Sequence, residues 1–162
     1  MSRTVAIVVP FRGLADVVDD WRERTCVSKP SHGVPPHVTL LVPARNDVTG
    51  VIESTAGFPA FDVRFTRLDR FPGTLWLAPE PADAFAAMTE ALVARWPDCP
   101  PYGGVFARII PHLTVAQREL DAAAASVEPF LPLESRAESV LVLEQVQPDH
   151  WRELAAIDLE AG

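Results

Sequence analysis

The sequence predicts an α+β protein of two lobes: two antiparallel sheets related by a pseudo-twofold axis, helices on the outer faces, and a central cleft. Three observations predict it. "PPHVTLLVPA" from Pro35 and "IIPHLTVAQR" from Ile109 each place a histidine after a proline and two residues before a threonine, inside an apolar run. Each run is followed by a helical stretch and then a strand, centred near Val63 in one case and near Leu133 in the other, so the order of elements repeats. "FDVRFTRLDRF" alternates apolar Phe61, Val63 and Phe65 with Asp62, Arg64 and Thr66, the pattern of a strand with one wet face in an antiparallel sheet. The 162 residues suit one bilobal domain over 1–162, with motif-bearing halves of roughly 1–80 and 81–162.

Taken in order, "TVAIVVP" (Thr4 to Pro10) is a short β-branched run closed by proline and reads as a buried strand. In "GLADVVDDWRERT", Leu14, Val17, Val18 and Trp21 recur at helical spacing between acids and arginines. "CVSKPSHGVPP" holds three prolines and a glycine, and is a loop. "HVTLLVP" (His37 to Pro43) is the second strand. "NDVTGVIESTAG" is a helix that Asn46 or Asp47 caps and Gly57 follows. The alternating strand from Phe61 turns at "FPG", and "TLWLAP" (Thr74 to Pro79) returns. "EPADAFAAMTEALVARW" is the strongest helix, with Pro81 in its first turn and Phe85, Met88, Leu92 and Trp96 in one stripe. "PDCPPYGG" stops it. "FARIIPHLTVAQ" is then a strand, "RELDAAAASVE" a helix, "FLPLESRAESVLVLEQV" two strands or one bent one, and "WRELAAIDLE" a last strand or a short helix.

Composition narrows the partners. Hydrophobic residues make up 48% and charged residues 22%, the balance of a globule with a sizeable core. The formal net charge of -8 speaks against long nucleic acid, whose binding needs clustered Lys and Arg. Cys26 and Cys99 allow one disulfide but no framework, so a reduced, cytoplasmic protein is expected. The apolar run near the start, about five residues, is too short for a signal or a membrane span. A monomer without membrane attachment is expected.

Strand side chains alternate with period two. His37 and Thr39 therefore share one face, and Val38 and Leu40 the other. The same holds for His112 and Thr114 against Leu113 and Val115. Facing lobes would bring two imidazoles and two hydroxyls into one cleft. That set suffices for phosphoryl transfer to water. One imidazole takes a proton from the nucleophile and the other gives one to the leaving oxygen, while the threonines hydrogen-bond the non-bridging oxygens. Imidazole serves both jobs because its ordinary pKa is about 6.5.

Other candidates are weaker. Arg108 lies four residues before His112, an even offset that would place it on the same face, ready for a phosphate. Arg12 follows the first strand at an expected cleft edge. For both, a surface ion pair is the plainer reading. Tyr102, Phe106 and His32 precede the motifs in loops and could line a base pocket, with Phe106 equally readable as core. His32, His37, His112 and His150 form no convincing metal set, so no metal is expected. His150 in "QPDHWRE" reads as a solvated turn, and neither cysteine has an oriented base.

The paired motifs His37-Val38-Thr39-Leu40 and His112-Leu113-Thr114-Val115 resemble the signature of the two-histidine phosphoesterase superfamily, which includes the 2'-5' RNA ligases and cyclic phosphodiesterases. "GVPPHVTLL" and "PYGGVFARIIPHLTVA" resemble a bacterial branch of it. The resemblance covers nearly the whole chain. It implies acid-base roles for His37 and His112, phosphate binding by Thr39 and Thr114, and no cofactor. The implied activity is opening of 2',3'-cyclic phosphates of small nucleotides or RNA termini to 2'-phosphates. Ligase-like action on 2'-5' linkages, or a non-catalytic module binding a nucleotide or RNA end, are the alternatives. The aromatic that many relatives carry after the first motif is replaced by Val42-Pro43-Ala44. The residues themselves reach acid-base phosphoester chemistry; the ring and the 2'-product come from the resemblance, and which histidine is the base stays open.

Overall fold

β1 (Val5–Pro10) is apolar at every position because both of its faces are covered. Val5, Ile7 and Val9 enter the main core, whereas Ala6 and Val8 join Leu141 and Leu143 in a second, smaller cluster on the opposite face. The computed structural model describes residues 3–104 and 109–161. After β1 come α1 (Ala15–Thr25), β2 (His37–Ala44), α2 (Val48–Thr55), β3 (Phe61–Phe71), β4 (Thr74–Glu80) and α3 (Asp83–Arg95). β5 (Leu113–Ala116), α4 (Leu120–Val127), β6 (Leu133–Ala137), β7 (Ser139–Gln147) and β8 (His150–Asp158) complete the chain. The helices and strands expected from the sequence are there, though α3 starts at Asp83 and leaves Pro81 ahead of its first turn; the two open readings resolve as separate strands β6 and β7, and as strand β8.

The described strands form one curled antiparallel sheet of eight, in the order β6-β3-β4-β5-β2-β1-β7-β8. Two separate sheets were expected, and here the structure corrects the reading. The joint is the pairing of β2 with β5, which rests on the single register pair Val38↔Leu113. The two histidine-bearing segments therefore lie side by side in mid-sheet. The chain crosses this joint: β3 and β4 of the first half lie with β5 and β6, while β7 and β8 of the second half lie with β1 and β2. β5 is also shorter than the expected strand. Pro111 has no N–H to give a ladder, and regular pairing begins only at Leu113. Residues 105–108 of that expected strand, with Phe106 and Arg108, lie outside the described residues.

Val18 of α1, Val51 of α2, Phe85, Met88 and Leu92 of α3, and Val127 of α4 pack into the same core as Val38, Leu40, Leu113 and Val115. The helices thus cover one sheet face and leave the other to the cleft. Val38, Leu113 and Val115 are fully buried, each worth about 1.5–3 kcal/mol in transfer free energy. Thr89 Oγ1 of α3 donates to the Leu40 carbonyl (2.7 Å), fixing β2 to the helix above it. Asp47 caps α2 by accepting from the Gly50 N–H (3.0 Å), as its sequence predicts. None of the described helices is long and apolar enough to cross a membrane.

Candidate active site

His37 opens β2, and His112 stands just before β5. Period two turns the two imidazoles and the hydroxyls of Thr39 and Thr114 away from the helices, and all four line one cavity of about 740 Å³. Tyr102 lines it as well. The loop leading to His37 is set close against β8: Gly33 has φ of 87°, and a Cβ there would lie 2.4 Å from the Trp151 carbonyl oxygen.

The same backbone clamp holds each imidazole. His37 Nδ1 lies 2.8 Å from the Pro35 carbonyl oxygen, and His112 Nδ1 lies 2.7 Å from that of Ile110. A carbonyl only accepts, so Nδ1–H donates and the neutral ring keeps Nε2 as a free acceptor. Both clamps reach back two residues across a proline, Pro36 or Pro111. Proline keeps the residue before it extended, which presents that residue's carbonyl to the ring. The proline before each histidine thus sets the tautomer as well as the strand start.

Both rings resist protonation. Burial lowers His37 to about 4, assisted by the charges of Arg22 and His112 and opposed by the Pro35 carbonyl. Burial lowers His112 too, against the Ile110 carbonyl. An anionic ligand between them would favour the protonated form of either ring. Aromatic rings surround His112: Phe71 meets it edge-on at 5.0 Å, Trp76 lies at 5.8 Å and Tyr102 lies nearly parallel at 6.4 Å. Tyr102 has φ of 51°, a left-handed conformation costing a side chain like this about 1–2 kcal/mol. Burial pushes its phenol up, and a hydrogen bond with Thr39 pulls the other way.

The remaining candidates separate. Arg12 is not among the cavity's lining residues; its guanidinium meets Glu153 on the surface at 3.4 Å. His150 is exposed at the start of β8, and His32 ends a 3-10 turn off the cavity. Cys26 lines the cavity, but its thiol is pushed up by burial and remains protonated. Among the described residues no three of His, Cys, Asp and Glu converge. Sequence reasoning missed Arg22, Phe71 and Trp76. Phe71 and Trp76 sit on the β3–β4 hairpin, and Trp76 pairs in register with Thr114, a contact no local pattern records.

A curled antiparallel sheet with two such histidines at its centre defines the class of two-histidine phosphoesterases, enzymes that act on phosphodiester groups. The chain belongs to the 2'-5' RNA ligase superfamily, whose sequence profile matches residues 10–148. Solved structures share the fold. TT0787 of Thermus thermophilus is 19% identical, with 99% of each chain covered and a TM-score of 0.66. E. coli LigT complexed with 3'-AMP is 13% identical, covering 98% of this chain and 99% of that one, with a TM-score of 0.63. E. coli LigT complexed with NADP+ is 17% identical, covering 98% of each chain, with a TM-score of 0.61. Identities this low carry the fold alone. No curated protein sequence matches the chain.

Proposed function

We propose that the protein is a metal-independent phosphoesterase that opens 2',3'-cyclic phosphates of nucleotides or RNA ends to 2'-phosphates. His37 and His112 act as the acid-base pair, and Thr39 and Thr114 hold the phosphate. The observation that carries this reading is the paired clamp: both imidazoles border one cavity with Nδ1 occupied by backbone, so both work through Nε2. Water attacks phosphorus as one neutral Nε2 removes its proton. The P–O3' bond breaks, and the other ring, protonated on Nε2, gives its proton to the departing 3'-oxygen. The threonine hydroxyls donate to the non-bridging oxygens, where charge gathers. No charge is left over: one proton enters the pair and one leaves it.

Substrate size follows from charge and space. A chain of net charge -8 repels long polyanions, and a cavity of about 740 Å³ has room for a nucleotide. The complexes of LigT with 3'-AMP and NADP+ support a ligand carrying a ribose phosphate. The test is incubation with the four 2',3'-cyclic mononucleotides and assignment of the product isomer by ³¹P NMR. The 2'-phosphate is expected. A 3'-phosphate product would move the leaving oxygen, and no turnover on any of the four, or on an RNA with a cyclic terminus, would overturn the reading.

A further inference from the structure

The two histidine clamps are alike, but what stands behind them differs. Arg22 is only 2% exposed although it lines the cavity. Its NH2 group donates to the carbonyls of Val34 (2.9 Å), Pro35 (3.1 Å) and Ser28 (3.3 Å). Pro35 is the carbonyl that accepts the His37 Nδ1–H. Asp19 binds the other amino group, NH1, at 2.6 Å, so the NH2 end of the guanidinium faces the loop before His37. Among the described residues no guanidinium donates to the Ile110 carbonyl that clamps His112, and Ile110 is 41% exposed.

We propose that Arg22 is a positioning residue that fixes the Pro35 carbonyl and places a buried positive charge behind His37, making His37 the proton acceptor of the pair and leaving His112 the proton donor. This rests on the acid-base reading above and completes it. A carbonyl already engaged by a guanidinium is a poorer acceptor for an imidazolium N–H, and the nearby cation repels a second positive charge. Both effects keep His37 neutral. Among the described residues no such cation stands behind His112, so an anionic phosphate in the cleft favours protonation of His112 first. Among the described residues the titratable groups about this arrangement are Asp19, which holds Arg22, Cys26 and Tyr102 in the cavity lining, and His112 across the cavity. β1 sets Pro10 opposite His37, Val9 opposite Val38 and Val8 opposite Thr39, and none of them is charged.

The test follows each imidazole by ¹⁵N and ¹³C NMR titration in the wild type, Arg22→Lys, Arg22→Gln and Arg22→Met, with kcat/KM against pH on a 2',3'-cyclic nucleotide. In the wild type His37 is expected to protonate at lower pH than His112, as the Nδ1–H tautomer; the reverse order would overturn the proposal without any variant. In Arg22→Gln and Arg22→Met, His37 and the acid limb of kcat/KM should both move to higher pH. In Arg22→Lys, which keeps the charge but loses the fork, the limb should stay while kcat falls. An unmoved His37 titration in a folded neutral variant would overturn the proposal. Absence of turnover would count against the cyclic-phosphate reading alone, because the NMR titrations decide the Arg22 role independently.

Discussion

Lowering the pH should destabilise this protein through His37, and by a size the structure sets. The ring protonates near 6.5 in the unfolded chain but only at about 4 when folded. The unfolded state therefore binds the extra proton first. The stabilisation is complete above about pH 6.5 and is lost as pH falls toward the folded value. The full difference is worth about 3 kcal/mol at about 1.4 kcal/mol per pH unit. His37 is only half-buried beside an open cleft, and screening there brings the expectation to about 2 kcal/mol. Urea denaturation followed by tryptophan fluorescence, at about pH 7 and about pH 4.5, gives the change for the wild type and for His37→Gln. Carboxylates and His112 respond to acid in both proteins, so the difference between them isolates His37. The wild type should lose about 2 kcal/mol more than the variant. Parallel losses would refute the depressed titration and the half-buried, neutral ring behind it.

Thr39→Val and Thr114→Val should each lower kcat/KM by about 10- to 100-fold, because a hydrogen bond to a charged oxygen is worth about 1.5–3 kcal/mol. A change of less than about twofold in either folded variant would remove that threonine from phosphate binding. EDTA should leave turnover unchanged, since in the proposed reaction two imidazoles and two hydroxyls suffice to move the protons and hold the oxygens without an ion. Inhibition by EDTA that zinc or manganese reverses would contradict this.

Local periodicity made most of the fold readable. Val38 and Leu40 against His37 and Thr39 show β2's two faces directly, and the stripe of Phe85, Met88 and Leu92 shows α3's buried side. The single sheet was not readable, because the joint is one long-range pair, Val38↔Leu113. Arg12 looked placed for the cleft from its position after β1, but Glu153 on β8, far away in sequence, captures it. Arg22 sits in "DDWRERT" among acids and looks like a solvated helix residue. Only the fold shows it buried against the loop that carries Pro35. The proline before each histidine was visible from the start; its role in presenting a carbonyl to Nδ1 needed coordinates.

In the proposed reaction two imidazoles share one proton-transfer task across one cavity. The decisive comparison is kcat/KM of His37→Ala and His112→Ala on a 2',3'-cyclic nucleotide, with circular dichroism confirming the fold. The buried anchors Val38, Leu40, Leu113 and Val115 are untouched, so both variants should remain folded. Each should lose about 10²–10⁴-fold, the usual worth of one general acid or base. Retention of more than about half the wild-type rate by either folded variant would contradict the two-imidazole account.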